Sequence, residues 1–474
     1  MDTGQNSGPN NDTAPGDKKN EAAANKTLLK TAGIYAIVGA NGQEQERGAA
    51  KIIVKEEEIS FLPENGKVLN VAMREISEAA GENYAIRLTI AGGAGVEISQ
   101  LGYQYDDFWR AFWEAKNAIS INDLLMKEPG DLGKARARAI RAGNDLGECD
   151  IQFYETSLLV MPRGAEIFKI NYGDIDGIAA TDFKIILTLD EGDIEFGMMG
   201  ERFGDAVKII NGALTKISME TQEQIKQMLP DLDSLAVRQM AELMKDGRCA
   251  AKSKVEALSA GAWPKIEKFM ETAGIKESYD NLKKLAGPEA EVFIGIKRAM
   301  MGGLAGDYVW FLMPLEKDNA IAMEATGQSG SGKATYFFRL VDRAEFVAGS
   351  GIEQITTDKI VNAVQKCVKR INFRREPIYL PEEKLNEPRY WKYKFILGKI
   401  PELDFLRSVF IGRVCHRSNE QWQKDARELL DFNISQKDNS AKWKAADDDL
   451  DPEPETAPGR NNQTNNNITM QNEN

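Results

Sequence analysis

The chain has 474 residues, 42% apolar and 28% charged, the proportions of a globular protein, which exclude a wholly disordered, collagen-like or disulfide-scaffold chain. Its 73 acidic and 60 basic residues leave a net charge of −13, which argues against general affinity for nucleic acid or anionic membrane and leaves room only for a local basic patch. The single histidine, His416, excludes every site that needs two or more imidazoles.

Residues 1–28 carry no apolar run and read as a disordered tail, with neither a signal peptide nor an anchor. Cys149, Cys249, Cys367 and Cys415 are scattered, with no CxxC pair. In a chain of this size that pattern predicts free thiols in a reducing cytoplasm. An internal repeat follows. Residues 57–90 align with 156–189 without a gap, so that Ile59, Phe61 and Pro63 fall on Leu158, Val160 and Pro162, and Glu75-Ile76 falls on Asp174-Ile175. Alternation in Tyr84-Ile86-Leu88-Ile90, and in Phe183-Ile185-Leu187-Leu189, predicts strands with those side chains on one face. Helical spacing then takes over. Phe108, Ala111, Phe112 and Ala115 predict one amphipathic helix, and Phe203, Val207, Ile210 and Leu214 its counterpart. Trp109 and Trp113, four apart, read as a stripe that is partly core.

The proline-ended apolar strand, the acidic-Ile strand end, the Leu-Thr strand and the closing helix together resemble the pleckstrin-homology-like superfold, including its bacterial and GRAM-type branches, over about residues 50–125 and 150–217. The fold class expected is α+β: tandem small antiparallel β-sheet or barrel modules (29–130 and 131–217), each closed by a C-terminal helix, then a helical hairpin region and a C-terminal mixed α+β domain. The resemblance implies binding of proteins, peptides or phosphoinositide headgroups. It also implies headgroup sites in the loop after the first strand, where the first copy carries Glu44 and Glu46, so lipid binding by that copy is disfavoured.

Residues 218–287 predict the helical hairpin, with stripes at Leu235, Met240, Leu243 and Met244 and at Val255, Leu258, Trp263, Ile266 and Phe269, separated at Gly247. Within 288–435, three strands are predicted around Val309-Trp310-Phe311-Leu312, Ala320-Ile321-Ala322-Met323 and residues 334–338. A helix through Ile360, Val364 and Val368 follows, and then a helical region over about 400–432. The strands-then-helix order is compatible with a third unit of the same kind. Residues 436–474, acidic and then Asn-rich, read as a second disordered tail.

Three motifs are weighed as chemistry. Residues 327–334 (GQSGSGKA) look like a phosphate loop, but Ala334 stands where magnesium needs a hydroxyl, and a strand pattern follows in place of a helix. Residues 174–177 (DIDG) look like part of a calcium loop, but both end positions of that loop fail, at Tyr172 and Phe183. Cys415-His416 reads as a helix position with a surface histidine, since adjacent helical side chains point apart. No cofactor, metal or catalytic residue is assigned.

The most suggestive surface feature is segment 366–399, where Lys366, Lys369, Arg370, Arg374, Arg375, Arg389, Lys392 and Lys394 alternate with aromatics such as Tyr379, Tyr390, Trp391 and Tyr393. Cations interleaved with aromatic faces suit a partner surface. A second basic run lies at Lys134, Arg136, Arg138 and Arg141. The expectation is a non-enzymatic scaffold whose partner is a protein. A peripheral binder of phosphoinositide or anionic lipid through 366–399 is the alternative, with nucleic acid ranked below it. An enzyme housed in the C-terminal domain is the second alternative.

Overall fold

The computed structural model of the protein describes residues 26–90, 93–123, 130–272, 275–299, 306–327, 334–340, 355–371, 374–387, 390–436 and 442–443. The first unit begins with a long hairpin of β1 (Thr27–Val38) and β2 (Glu44–Lys55), continued by β3 (Glu58–Pro63), β4 (Leu69–Ala72), β5 (Ile76–Glu82), β6 (Ala85–Ile90) and β7 (Gly95–Ser99). All neighbours pair antiparallel in the order β4-β3-β2-β1-β7-β6-β5. The helix α1 (Tyr105–Asp123) follows. Alternation puts Ile59, Phe61, Ile86, Leu88, Val96 and Ile98 on the face that α1 covers with Phe108, Phe112 and Ala115. Each large apolar side chain removed from water there contributes about 1.5–3 kcal/mol.

The second unit repeats this element for element. Its strands are β8 (Gly133–Arg141), β9 (Asn144–Phe153), β10 (Ser157–Pro162), β11 (Phe168–Asn171), β12 (Ile175–Thr181), β13 (Lys184–Leu189) and β14 (Ile194–Gly197), followed by α2 (Arg202–Met228). The strand order is β11-β10-β9-β8-β14-β13-β12, the same as in the first unit. Two sequence expectations change here. Each sheet runs from one edge strand to the other without an edge-to-edge pairing, so neither closes into a barrel. Tyr84 and Phe183 do not join the core faces of their strands. They sit in the two-residue turns between β5 and β6 and between β12 and β13, with φ of 59° and 58°, and are 79% and 77% exposed.

After α2 come α3 (Ser234–Leu243), the two-residue β15 (Ala250–Ala251), α4 (Lys252–Leu258), α5 (Ala262–Thr272) and α6 (Lys276–Ala286). This region is a series of short helices in place of the expected two-helix hairpin. The third sheet runs β15, β16 (Phe293–Ala299), β17 (Gly306–Leu315), β18 (Ala320–Gly327), β19 (Ala334–Arg339) and β20 (Phe410–Cys415) straight across in chain order. That order does not reproduce the first two sheets. Between β19 and β20 lie α7 (Thr357–Arg370), α8 (Glu376–Tyr379), α9 (Glu382–Leu385), α10 (Trp391–Leu397) and α11 (Pro401–Val409); α12 (Asn419–Ser435) ends the described helices. The region expected to be helical from about 400 is therefore interrupted by β20.

The third sheet is covered on both faces. Phe311, Met313, Ala322 and Phe337 pack against the α2 end, α3–α6 and α12. Trp310, Leu312, Ile321, Met323 and Phe338 pack against α7–α11. Burial on both faces explains why its strands read as unbroken apolar runs in the sequence. The helix α2 joins this body to the second unit. Ala206, Ile210, Ala213 and Ile217 belong to the core of the second unit, and Ile225 and Met228 to that of the helical layer.

Candidate functional site

The best-formed cleft lies where the second unit meets α7, and local sequence builds both walls. The hydroxyl of Thr356 caps α7 by accepting from Lys359 N at 3.2 Å. Ile360, Val364, Cys367 and Val368 bury one stripe of the helix. The opposite stripe ends in Lys366, Lys369 and Arg370, cations at the C-terminal turn where the helix dipole favours them. Across the cleft, the β13–β14 turn uses Gly192 at φ 104° and carries Glu191 at its tip.

Three cations from two parts of the molecule converge on this one carboxylate. Arg370 Nη2 lies 2.8 Å and Lys366 Nζ 3.5 Å from Glu191 Oε1, and Arg141 Nη2 lies 3.2 Å from Oε2. Arg370 also reaches Glu402 at 2.9 Å, and the buried Lys369 reaches Asp174 at 3.0 Å. Burial pushes the Glu191 carboxyl up, but Arg370, Lys366 and Arg141 outweigh it and leave the carboxyl below its usual range. The Asp174 carboxyl is balanced in the same way, with burial opposed and outweighed chiefly by Lys369.

Lys399 ties three parts together. Its ammonium lies 2.7 Å from Glu166 of the second unit and donates to Ser77 O of the first at 3.3 Å. The first and second units also meet directly. Trp109 Nε1 donates to Gly164 O, and Asn117 clasps Ala165 O and Ile167 N, each at 3.1 Å. Trp113 is buried in the core of the first unit, so the tryptophan stripe divides between core and junction. The enclosed space between the second unit and α7 is about 480 Å3.

A second polar cluster, open to solvent only at His416, lies within the C-terminal body. Glu324 is fully buried and accepts from the Thr335 hydroxyl at 2.7 Å, and Thr335 in turn accepts from Trp422 Nε1 at 2.9 Å. His416 Nε2 lies 3.0 Å from Glu324, and the imidazole stacks on Trp422. This corrects the reading of His416 as a surface residue on a helix. It follows the end of β20 and is turned toward Glu324 and Thr335. The cluster knits β18, β19 and α12 together.

Among the described cations of the basic segment, Lys366, Lys369, Arg370, Arg375 and Lys399 are engaged within the molecule. Lys366, Lys369 and Arg370 come together in the cleft. Arg375 donates to Tyr336 Oη at 3.2 Å and Ala325 O at 3.3 Å, within the C-terminal body. Arg374 is partly exposed, and the exposed Lys394 donates to Asn386 at 2.9 Å. Arg389 lies outside the described residues; Trp391 and Lys392 lie on α10, but their side chains are outside the described set. Tyr393 is buried, and Tyr379 stacks beside Tyr336 under Arg413. The sequence reading missed Glu191, Asp174, Glu166 and Glu402 as partners of this segment. The available signal was an acidic hairpin tip at residues 190–191 in a copy that also carries a basic first hairpin.

Residues 328–333 of the glycine-rich motif lie outside the described residues; the strands β18 and β19 flank them. Among the described residues no group of three or more His, Cys, Asp or Glu is placed to hold a metal ion, and no helix is long and apolar enough to cross a membrane. No family model matches the sequence, and no curated protein matches it.

Proposed function

We propose that the protein is a non-enzymatic scaffold whose first two units are tandem pleckstrin-homology-like modules, and that its partner is a protein. The shared strand order and the closing helix of each unit support the module assignment. One observation carries the partner reading. At the same place in both units, a bulky aromatic sits exposed at positive φ in a two-residue turn, where Asn-Gly or Asp-Gly would fold without strain. Tyr84 leans on Tyr105 with ring centroids 5.6 Å apart, and Phe183 on Phe203 at 5.7 Å. An aromatic in that conformation costs on the order of 1–3 kcal/mol and buries little. Its repetition points to use at a surface, since aromatic anchors dominate protein interfaces.

The rival reading, a lipid or nucleic-acid surface on 366–399, is opposed by the internal ion pairs of Lys366, Lys369 and Arg370. Affinity capture with the tagged full-length chain tests the proposal. A stoichiometric protein retained at high salt, and lost from the Tyr84→Ser/Phe183→Ser variant, supports it. Recovery of nucleic acid or lipid alone, released by salt, overturns it.

A further inference from the structure

The cleft between the second unit and α7 is rich in cations, of which Arg248 is answered by Asp176 just outside the lining. Seven cationic and five acidic side chains line it. At its centre, one carboxylate with a single charge and two oxygens answers three cations, two of them guanidinium groups. A phosphate offers three oxygens and nearly two charges, and guanidinium forks match its geometry. An apolar wall of Ile167, Phe168, Ile400 and Pro401 stands beside the charges, and the Arg141 guanidinium lies 4.6 Å over the Phe168 ring. That stack holds one of the three cations in place before any ligand arrives. A volume of about 480 Å3 at a junction between two units is in the range of small-molecule sites.

We propose that this cleft binds a small organic phosphate, and that Glu191 is the occupant the chain supplies in its absence. The ligand's phosphate takes the place of the Glu191 carboxylate among Arg141, Lys366 and Arg370. Its organic part lies against Ile400 and Phe168. Glu191 is already 38% exposed at the tip of a turn, so it has a short path to solvent. Lys366 and Arg370 belong to α7, outside the second unit, so this is a composite site. It differs from the headgroup site that the family resemblance places in a first hairpin loop. Its walls come from both sides of the molecule, which favours a soluble phosphate over a headgroup held in a bilayer. The inference is independent of the protein-partner reading.

Calorimetric titration of the full-length chain at low salt tests this with inorganic pyrophosphate, ADP and inositol trisphosphate. Phosphatidylcholine vesicles doped with phosphatidylinositol bisphosphate form a separate arm. One-to-one binding of at least one soluble probe is expected. Lys366→Gln and Arg370→Gln should each weaken it about tenfold or more. Glu191→Gln should tighten it, because the competing charge is gone; non-specific charge attraction would change little when one acid among 73 is removed. Glu191→Gln and the half-exposed Lys366→Gln keep the test valid if Arg370→Gln fails to fold. The proposal is overturned if no soluble probe binds, if only the vesicles bind, or if Glu191→Gln weakens binding or leaves it unchanged.

Discussion

Replacing Glu220 by proline should loosen the coupling of the second unit to the C-terminal body, leaving the ion pairs of the cleft to carry more of it. The helix α2 has 27 residues, so it is roughly 40 Å long at 1.5 Å per residue. Its first half is anchored by Ile210 and Ile217 in one core and its last turns by Ile225 and Met228 in another. Position 220 falls between the two anchors and is itself partly exposed, beside the buried Thr221. Proline there removes the hydrogen bond from residue 220 to the residue 216 carbonyl, and its ring collides with that carbonyl, a loss of about 3 kcal/mol or more. Glu220→Ala keeps the backbone and should stay within about 0.5 kcal/mol of wild type. Amide hydrogen exchange and urea unfolding read both variants. With proline, protection should fall sharply around residues 216–221, and the unfolding of the second unit should separate from that of the C-terminal body. Unchanged protection and an unchanged midpoint would refute the idea that α2 is a rigid link between them.

Other outcomes follow from burial and charge. Leu88→Ala and Leu187→Ala remove equivalent, fully buried side chains from the two repeats; each should cost about 2–5 kcal/mol in urea unfolding, and a neutral effect at either site would break the structural equivalence. Lys116 is buried in the first unit and donates to Met73 O and Ile76 O. Burial pushes its ammonium down to about 7. Above that value the unfolded chain binds the extra proton, so this residue makes stability rise from pH 7 to about pH 10. The urea midpoint of Lys116→Met, compared with wild type at pH 7 and 9, should lack that rise. The Asp174 carboxyl is held low, so its contribution is present at neutral pH and is lost as pH falls below the ordinary carboxylate range. Asp174→Asn should therefore flatten the acid limb of the stability profile, and an acid limb identical to wild type would contradict the Lys369 pairing.

The repeat was legible because alternating strands and an amphipathic helix write their faces into the sequence. The alignment of 57–90 with 156–189 corresponds to β3–β6 and β10–β13, strand for strand. Tyr84 and Phe183 broke the pattern because a two-residue turn releases its side chains from the strand's alternation. The strand β20 was missed because it is six residues wedged between two helices, with pairing to β19 supplied from some 75 positions earlier in the chain. The cleft was half legible. The basic stripe of α7 stood out by charge, but its partners Glu191 and Asp174 come from distant turns. Ion pairs between remote segments leave no local periodicity to read.

The central structural claim is that Lys366, Lys369, Arg370 and Lys399 of the basic segment tie the units together. Zero-length carbodiimide cross-linking of the full-length chain, read by peptide mass spectrometry, tests it most directly. Lys366–Glu191 and Lys399–Glu166 links should form alongside the within-unit pair Lys184–Glu195, whose charged atoms lie 2.7 Å apart. Recovery of the Lys184–Glu195 link without either of the other two would contradict the account.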